Sequence, residues 1–275
     1  MIQEIAPHIL DNVFITRPPK DDDIVMALEN NVILGSPVTG KFYTYGEIKE
    51  NPVLSGVTYV YLFAVDGGHC YLMLDAPQEF IDASKRIQVG MFYEVYPELV
   101  LGGATAMHLD AWYRSHRFCG CCGHPNKPDP VERAMTCPVC GHQAFPTISP
   151  AVIVGIADGD RILLTRSALR KNAVYALVSG YTEVGETLEQ TAVREVKEEV
   201  GLQIKNLRLY GNQPWGFSGA LMVGYFAELD GDDTIRLQRE ELREAKWFTR
   251  DEMPENHNPL DLTHYMMEQF RLGNV

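Results

Sequence analysis

The sequence predicts an α/β protein: a mixed sheet covered by helices on both faces, preceded by a small metal-held ribbon and a β-rich α+β segment. Three observations carry this. From Pro150 onward, short β-branched runs alternate with stretches of helical period. Ahead of them, two copies of C-x-x-C-G-H stand a short connection apart. Between the strands lies one short helix on which carboxylates cluster, within the stretch GYTEVGETLEQTAVREVKEEVGL that runs from Gly180 to Leu202. The chain divides accordingly into an N-terminal α+β domain (1–115), a zinc ribbon (116–149) and an α/β domain (150–275).

Composition narrows the function. At 275 residues, with 45% apolar and 22% charged residues, the chain is long enough for two ordinary domains and reads as soluble and globular. A formal net charge of −13 argues against broad, non-specific grip on nucleic acid or an anionic membrane. It suits an enzyme whose small anionic substrate arrives with metal ions. Apolar runs near the N-terminus are broken by charge or proline within a few residues, so we expect no signal peptide, no transmembrane helix and a cytoplasmic location. Five of the six cysteines fall between Cys119 and Cys140, which fits a metal site better than a disulfide framework.

In the N-terminal third, Asp21, Asp22 and Asp23 form a charge run expected on a solvated loop. The runs 57–65 and 70–74, rich in β-branched and aromatic residues, flank Asp66-Gly67-Gly68 and predict a β-hairpin. Ala104, Met107, His108, Ala111, Trp112 and Ser115 then repeat at helical spacing, with His108 read as a packed helix residue rather than a ligand.

The ribbon follows. Zn²⁺ takes four soft ligands in a tetrahedron, and each C-x2-C turn presents two thiolates, so Cys119, Cys122, Cys137 and Cys140 are the expected ligands. Symmetry selects Cys122 over Cys121, because Cys122 holds the position before Gly-His. Gly123 and Gly141 can take the positive φ that turns backbone N–H groups toward sulfur, while His124 and His142 are spare. Four cysteines leave no open coordination position, so this metal supports folding rather than catalysis. Arg114, Arg117, Lys127 and Arg133 outnumber Asp129 and Glu132 nearby, a locally basic area that reads first as solvated charge.

In the last domain, AVIVGIA and RILLTR flank Asp158-Gly159-Asp160 as a hairpin, and YALVS leads into the acidic stretch. Further strands are expected over 207–211, 221–229 and 245–248, with a final helix over 260–272. The acidic helix carries its own boundaries: Thr187 caps it, Gln190 completes a capping box, and Gly201 suits a left-handed terminus, which places the helix over 188–200. Ala192, Val196 and Val200 make its apolar stripe with Val193 at the edge, while Glu195, Glu198 and Glu199 project together. Clustered carboxylates repel and raise one another's pKa, a penalty that a bound divalent cation removes.

Three glutamates alone would read as a solvated acidic face. The surrounding residues change that reading. Gly180, Glu186, Arg194, Glu195, Val196, Glu198, Glu199, Gly201 and Leu202 fit G-x5-E-x7-R-E-U-x-E-E-x-G-U at every position, an agreement with a chance on the order of 10⁻⁸ per window. The stretch resembles the signature of the Nudix hydrolases, which cleave nucleoside diphosphates linked to a further group. The resemblance implies an α/β/α sandwich and places catalytic Mg²⁺ or Mn²⁺ on Glu195 and Glu199, with Glu198 as a further ligand or water-positioning base. It adds the backbone carbonyl of Ser179 and, from the later segment EELREAKWF, the carboxylate of Glu241. Arg194 is expected to hold the carboxylates in place, through Glu186. No serine or cysteine nucleophile with a placed base is evident, so direct water attack is preferred to a covalent intermediate.

Downstream, NQPWGFSGALM (212–222) resembles the S-Q-P-W-P-F-P-x-S array of the NADH pyrophosphatase branch, which includes enzymes that remove NAD caps from RNA. That resemblance implies a homodimer cutting NAD(H) into AMP and nicotinamide mononucleotide. By position it implies substrate contacts at Phe145, Tyr181, Ala220, Met222 and Thr263; Trp215, Phe217 and Tyr181 offer stacking faces, and Gln213 can read a base or amide edge. Gly216 and Ser218 replace two prolines of the array, Ala220 replaces a serine, and Thr263 stands where alanine is commoner. These departures leave the hydrolytic residues intact and bear on substrate choice. The alternatives are decapping of NAD-capped RNA with the basic ribbon holding the transcript, hydrolysis of ADP-ribose or another nucleoside diphosphate derivative, and a non-catalytic Nudix binding module.

Overall fold

The hairpin expected around Asp66 forms with a two-residue turn. Strands Thr58–Val65 and Gly68–Leu74 pair antiparallel with Val65 opposite Gly68, and the turn residues Asp66 and Gly67 take φ of 50° and 80°. Two successive positive φ values match the right-handed strand twist, which is why an Asp-Gly pair sits there. The computed structural model to which this hairpin belongs describes residues 1–87, 97–169, 171–254 and 260–275. Its contacts divide the chain into two units. One comprises Gln3–Thr147 with Gly216–Gly219; the other comprises Met1–Ile2, Ile148–Trp215 and Ala220–Val275.

In the first unit the elements are β1 (Leu10–Asp11), β2 (Ile24–Glu29), β3 (Val32–Gly35), β4 (Tyr43–Thr44), α1 (Tyr45–Ile48), β5 (Thr58–Val65), β6 (Gly68–Leu74), α2 (Gln78–Ala83), β7 (Lys85–Ile87) and α3 (Pro97–Ser115). The strands form one sheet in the order β1-β5-β6-β2-β3-β7, with β4 beside β2. The run Asp21–Asp23 departs from the expected solvated loop at its last member: Asp23 is buried and receives two bonds from Arg17, at 2.7 and 3.0 Å. The helix at 97–115 also differs from the expected stripe. Ala111 and Ser115 are exposed, whereas Val100, Leu101, Ala106, Leu109 and Tyr113 are buried with Ala104, Met107 and Trp112. This helix is covered on most of its circumference, so one stripe under-describes it. Within the same unit the ribbon is a small sheet of β8 (Lys127–Pro128), β9 (Met135–Thr136) and β10 (Gln143–Ala144).

The second unit contains β11 (Ser149–Asp158), β12 (Arg161–Ser167), β13 (Val178–Tyr181), α4 (Leu188–Val200), β14 (Ile204–Trp215), β15 (Ala220–Leu229), β16 (Leu242–Thr249) and α5 (Leu262–Arg271). Its sheet runs β14-β15-β11-β12-β16, with β13 beside β11. The β11–β15 pair is parallel and the others are antiparallel, as a mixed sheet requires. Alternation along β11 builds two cores: Val152, Val154 and Ile156 cluster with Ala192, Val196 and Val200 of α4, while Ile153 clusters with Leu262, Met266 and Phe270 of α5. A helix therefore covers each face. Full burial of Val196 and Val200 stabilises this arrangement by about 2 kcal/mol each. Among the described residues, no helix is long and apolar enough to cross a membrane.

Candidate active site and metal centres

The acidic helix is set in place by its ends. Thr187 Oγ1 accepts the Gln190 N–H at 3.2 Å and Gln190 Oε1 accepts the Thr187 N–H at 2.8 Å, while Gly201 closes the helix at φ 74°. With Ala192, Val196 and Val200 facing the core, the rotation of α4 is fixed, and Glu199 turns inward to 5% exposure. Glu195 is likewise drawn in, with 12% of its side chain exposed, and Glu198 remains 53% exposed. Val193 is exposed, at the edge of the stripe.

Arg194 organises the carboxylates. Its guanidinium donates to both oxygens of Glu186 at 2.6 and 2.9 Å, to Glu195 at 2.7 Å, to Glu198 at 3.0 Å and to the Tyr181 carbonyl at 2.9 Å. Glu186 is held down at about 2, chiefly by this arginine, and it also accepts from Thr191 Oγ1 at 2.9 Å. Charge-assisted, forked bonds of this kind fix geometry as well as charge. Gly180 completes the arrangement, because a Cβ at that position would overlap the Glu195 carboxyl.

Glu199 is the contrasting group. Burial, then the neighbouring Glu195 and Glu241, push its carboxyl up to about 8, opposed by a backbone hydrogen bond from Ser179. Burial also raises Glu195, with Arg194 opposing. A buried carboxylate disfavoured by two acidic neighbours is the donor chemistry that a hard divalent cation satisfies, so the residue types fit Mg²⁺ or Mn²⁺. Glu241 lies just before β16 and is exposed; Gln238 Nε2 donates to it at 3.1 Å, while the Gln238 N–H bonds the Glu199 carbonyl at 3.0 Å. Gln238 thus ties the distal carboxylate to the end of α4. Sequence reasoning missed it, because its role depends on where the 230–241 segment returns, and no local pattern marks that.

The ribbon presents a closed centre. Among the described residues, Cys119, Cys122, Cys137 and Cys140 form the one His/Cys/Asp/Glu group whose ligand atoms all lie within 4.8 Å of one another. Sulfur separations of 3.4, 3.5 and 3.6 Å approach the ~3.8 Å expected around tetrahedral Zn²⁺. Gly123 and Gly141 both take φ 74°, and a backbone hydrogen bond at Cys140 leads the effects that lower the Cys137 thiol. Cys121 is exposed and outside the group. The residues fit a structural Zn²⁺.

Residues 147–267 match the NUDIX domain and residues 114–145 match the NADH pyrophosphatase zinc ribbon domain. The chain carries a Nudix domain behind a zinc ribbon. Curated relatives named NAD-capped RNA hydrolase NudC, from Salmonella heidelberg (strain SL476) and Salmonella typhi, are each 45% identical over 148 residues, covering 54% of this chain and 57% of the relative. The match thus spans little more than half the length of those relatives. Among solved structures, a NUDIX hydrolase from Nitrosomonas europaea aligns over 56% of this chain and 90% of its own, at 22% identity and a TM-score of 0.49.

Within the Nudix domain, strand register brings several of the expected substrate residues together. Tyr181 is opposite Ala151, Ala151 opposite Met222, and Met222 opposite Gln213, so these residues form one row across β13, β11, β15 and β14. Trp215 pairs with Ala220 in the next row but one. Tyr181 is 52% exposed, Trp215, Met222 and Thr263 are half-buried, and Ala220 is buried. Gln213 is fully buried; its Nε2 donates to the Leu260 carbonyl at 2.6 Å, and its Oε1 has no protein partner. Phe145 and Phe217 belong to the other unit, where Phe145 is half exposed. His108 is half-buried there, its Nε2 bonded to the Thr147 carbonyl at 2.8 Å.

Proposed function

We propose that this chain hydrolyses the pyrophosphate linkage of NAD(H), releasing AMP and nicotinamide mononucleotide, in a reaction dependent on Mg²⁺ or Mn²⁺. The observation that carries this reading is Glu199, buried with Glu195 and Glu241 as its acidic neighbours and its carboxyl pushed up to about 8, in a chain whose ribbon matches that of NADH pyrophosphatases. Glu195, Glu199, Glu241 and the Ser179 carbonyl would hold the ion. When bound, it neutralises phosphate charge and acidifies a water molecule.

The protein's own groups supply the rest. Glu198 is exposed but tethered to Arg194, so it can accept the proton of the attacking water as the new P–O bond forms and the bridging P–O bond breaks. Arg194 keeps Glu195 and Glu198 from drifting apart. The open ring of Tyr181, with that of Trp215 on the same sheet, offers stacking surface worth about 1 kcal/mol or more per base. Gln213, Ala220, Met222 and Thr263 shape the remainder of the pocket. We take the active form to be a homodimer, as the family resemblance implies; light scattering tests this.

Incubation with NADH, NAD⁺, ADP-ribose, FAD and diadenosine polyphosphates, followed by chromatographic identification of products, tests the assignment. Far faster turnover of ADP-ribose than of NADH would overturn it. A second reading is removal of the NAD cap from RNA, supported by the names of the 45% identical relatives. Its test compares capped RNA with free NAD at two salt concentrations; lack of a salt-dependent preference for RNA counts against it.

A further inference from the structure

A cavity of about 840 Å³ opens inside the N-terminal unit, among the start of β5, the end of β6, the last turn of α3 and the ribbon. None of the residues assigned above to hydrolysis or zinc binding lines it. Its volume is that of a small-molecule site, and its walls carry Arg114, Arg117 and Lys127 against Asp75 and Asp110. On a chain of net charge −13, this is a local excess of positive charge.

The basic residues noted in the sequence are not equivalent here. Arg133 is turned to its own unit, over the Phe14 ring at 5.4 Å and toward the Tyr61 and Asn12 carbonyls. Arg114 is held by buried Asp110 at 2.8 Å and by the Leu28 carbonyl at 2.7 Å. Arg117 differs: it meets Asp75 at 3.2 Å, and both side chains are more than half exposed, so the pair contributes little and a ligand oxyanion can replace it. Lys127 is exposed. Beside these cations, Phe118 leaves 61% of its surface bare. Asn126, in the same wall, is tied to the chain by donating to the His116 carbonyl at 2.9 Å.

Two exchangeable cations beside a bare aromatic face describe a molecule with an anionic end and a flat ring. We propose that this cavity binds a nucleoside phosphate, with Arg117 and Lys127 on the phosphate and Phe118 against the base. The nucleotide can be free or one residue of a single strand, since both present the same groups. The site is separate from the proposed hydrolytic one and does not depend on that assignment.

The test uses the full-length, zinc-loaded protein without added Mg²⁺, titrated with labelled AMP and with a labelled short oligoadenylate. The variants are R117A/K127A and F118A, with zinc content and melting temperature as controls of folding. We expect each variant to weaken binding by about tenfold, R117K/K127R to retain it, and NADH turnover in Mg²⁺ to stay at the parent rate. Loss for AMP identifies a free nucleotide as the source; loss for the oligonucleotide alone identifies a strand. Unchanged binding of both probes by folded variants, or no binding by the parent protein, would overturn the proposal, whatever the outcome of the NADH assay.

Discussion

Glu199 is kept from water by the same packing that makes α4 part of the core, and this couples folding to chemistry at a single residue. Its carboxyl sits above the ordinary range because burial, Glu195 and Glu241 all disfavour the anion. Glu199→Gln should therefore cost nothing in the metal-free fold while removing a proposed metal ligand. We expect turnover to fall on the order of 10²- to 10⁴-fold, with a melting temperature at pH 8, without divalent ions, equal to or above that of the parent. Steady-state kinetics and thermal melts check this; undiminished turnover would sink the hydrolytic assignment of the glutamates. Gly180 makes a second residue-scale case. A methyl group there would collide with the Glu195 carboxyl, so Gly180→Ala should expel Glu195 from its bond to Arg194. The expected loss is at least about tenfold in turnover with a stability cost of about 1–3 kcal/mol. A variant with parent-like kinetics would mean that Glu195 has room to move without consequence.

At the scale of elements, helices announce themselves and short strands do not. The bounds of α4 could be read because a cap, a capping box, a 3.6-residue stripe and a terminal glycine all lie within one local stretch. By contrast, β14 runs from Ile204 to Trp215, well beyond the expected 207–211, because register shifts at two places break its alternation and Asn206 takes φ 53°. Strands β1 and β4 have two residues each and exist only through partners far along the chain, so no periodicity could reveal them. The carboxylates of α4 were legible for the same reason as the helix, whereas the bond from Gln238 to Glu241 was not. Asp23 illustrates the cost of reading charge locally. It joins the entry of β2 to the preceding segment by accepting from Arg17 and from the Lys20 N–H at 2.7 Å. Burial acts to raise its pKa, but these bonds together outweigh it and leave Asp23 below its ordinary 3.8. Because the folded value is depressed, the stabilisation is present above the unfolded value and is lost as pH falls through the folded one. Asp23→Asn should destabilise by on the order of 1–3 kcal/mol at pH 7, and the gap should close below about pH 4. Urea denaturation of both proteins across that range is the measurement; a gap independent of pH would show that packing, not ionisation, is at stake.

On the scale of the whole chain, the two units have different sources of order. The Nudix unit has apolar clusters on both faces of its sheet, each closed by a helix. The ribbon has strands of two residues and only Ala134 and Met135 as buried apolar residues besides its cysteines, too little apolar surface to fold unaided. Its attachment within its own unit is through polar contacts that include Thr16 Oγ1 donating to the Pro130 carbonyl at 2.6 Å and Arg133 reaching the Tyr61 carbonyl at 3.4 Å. Zinc should thus set the order of one unit and leave the core of the other to itself. After removal of zinc by a thiol-reactive agent and chelator, hydrogen exchange followed by peptide mass analysis should show protection lost across 114–145 and at the segments around Thr16 and Tyr61. Protection of β11, β15 and α4 should persist, because Val152, Val223 and Val196 share a core to which the ribbon contributes no residue. Equal loss of protection in 149–271 would show instead that the chain folds as one cooperative body and that the structural metal supports the hydrolytic site as well.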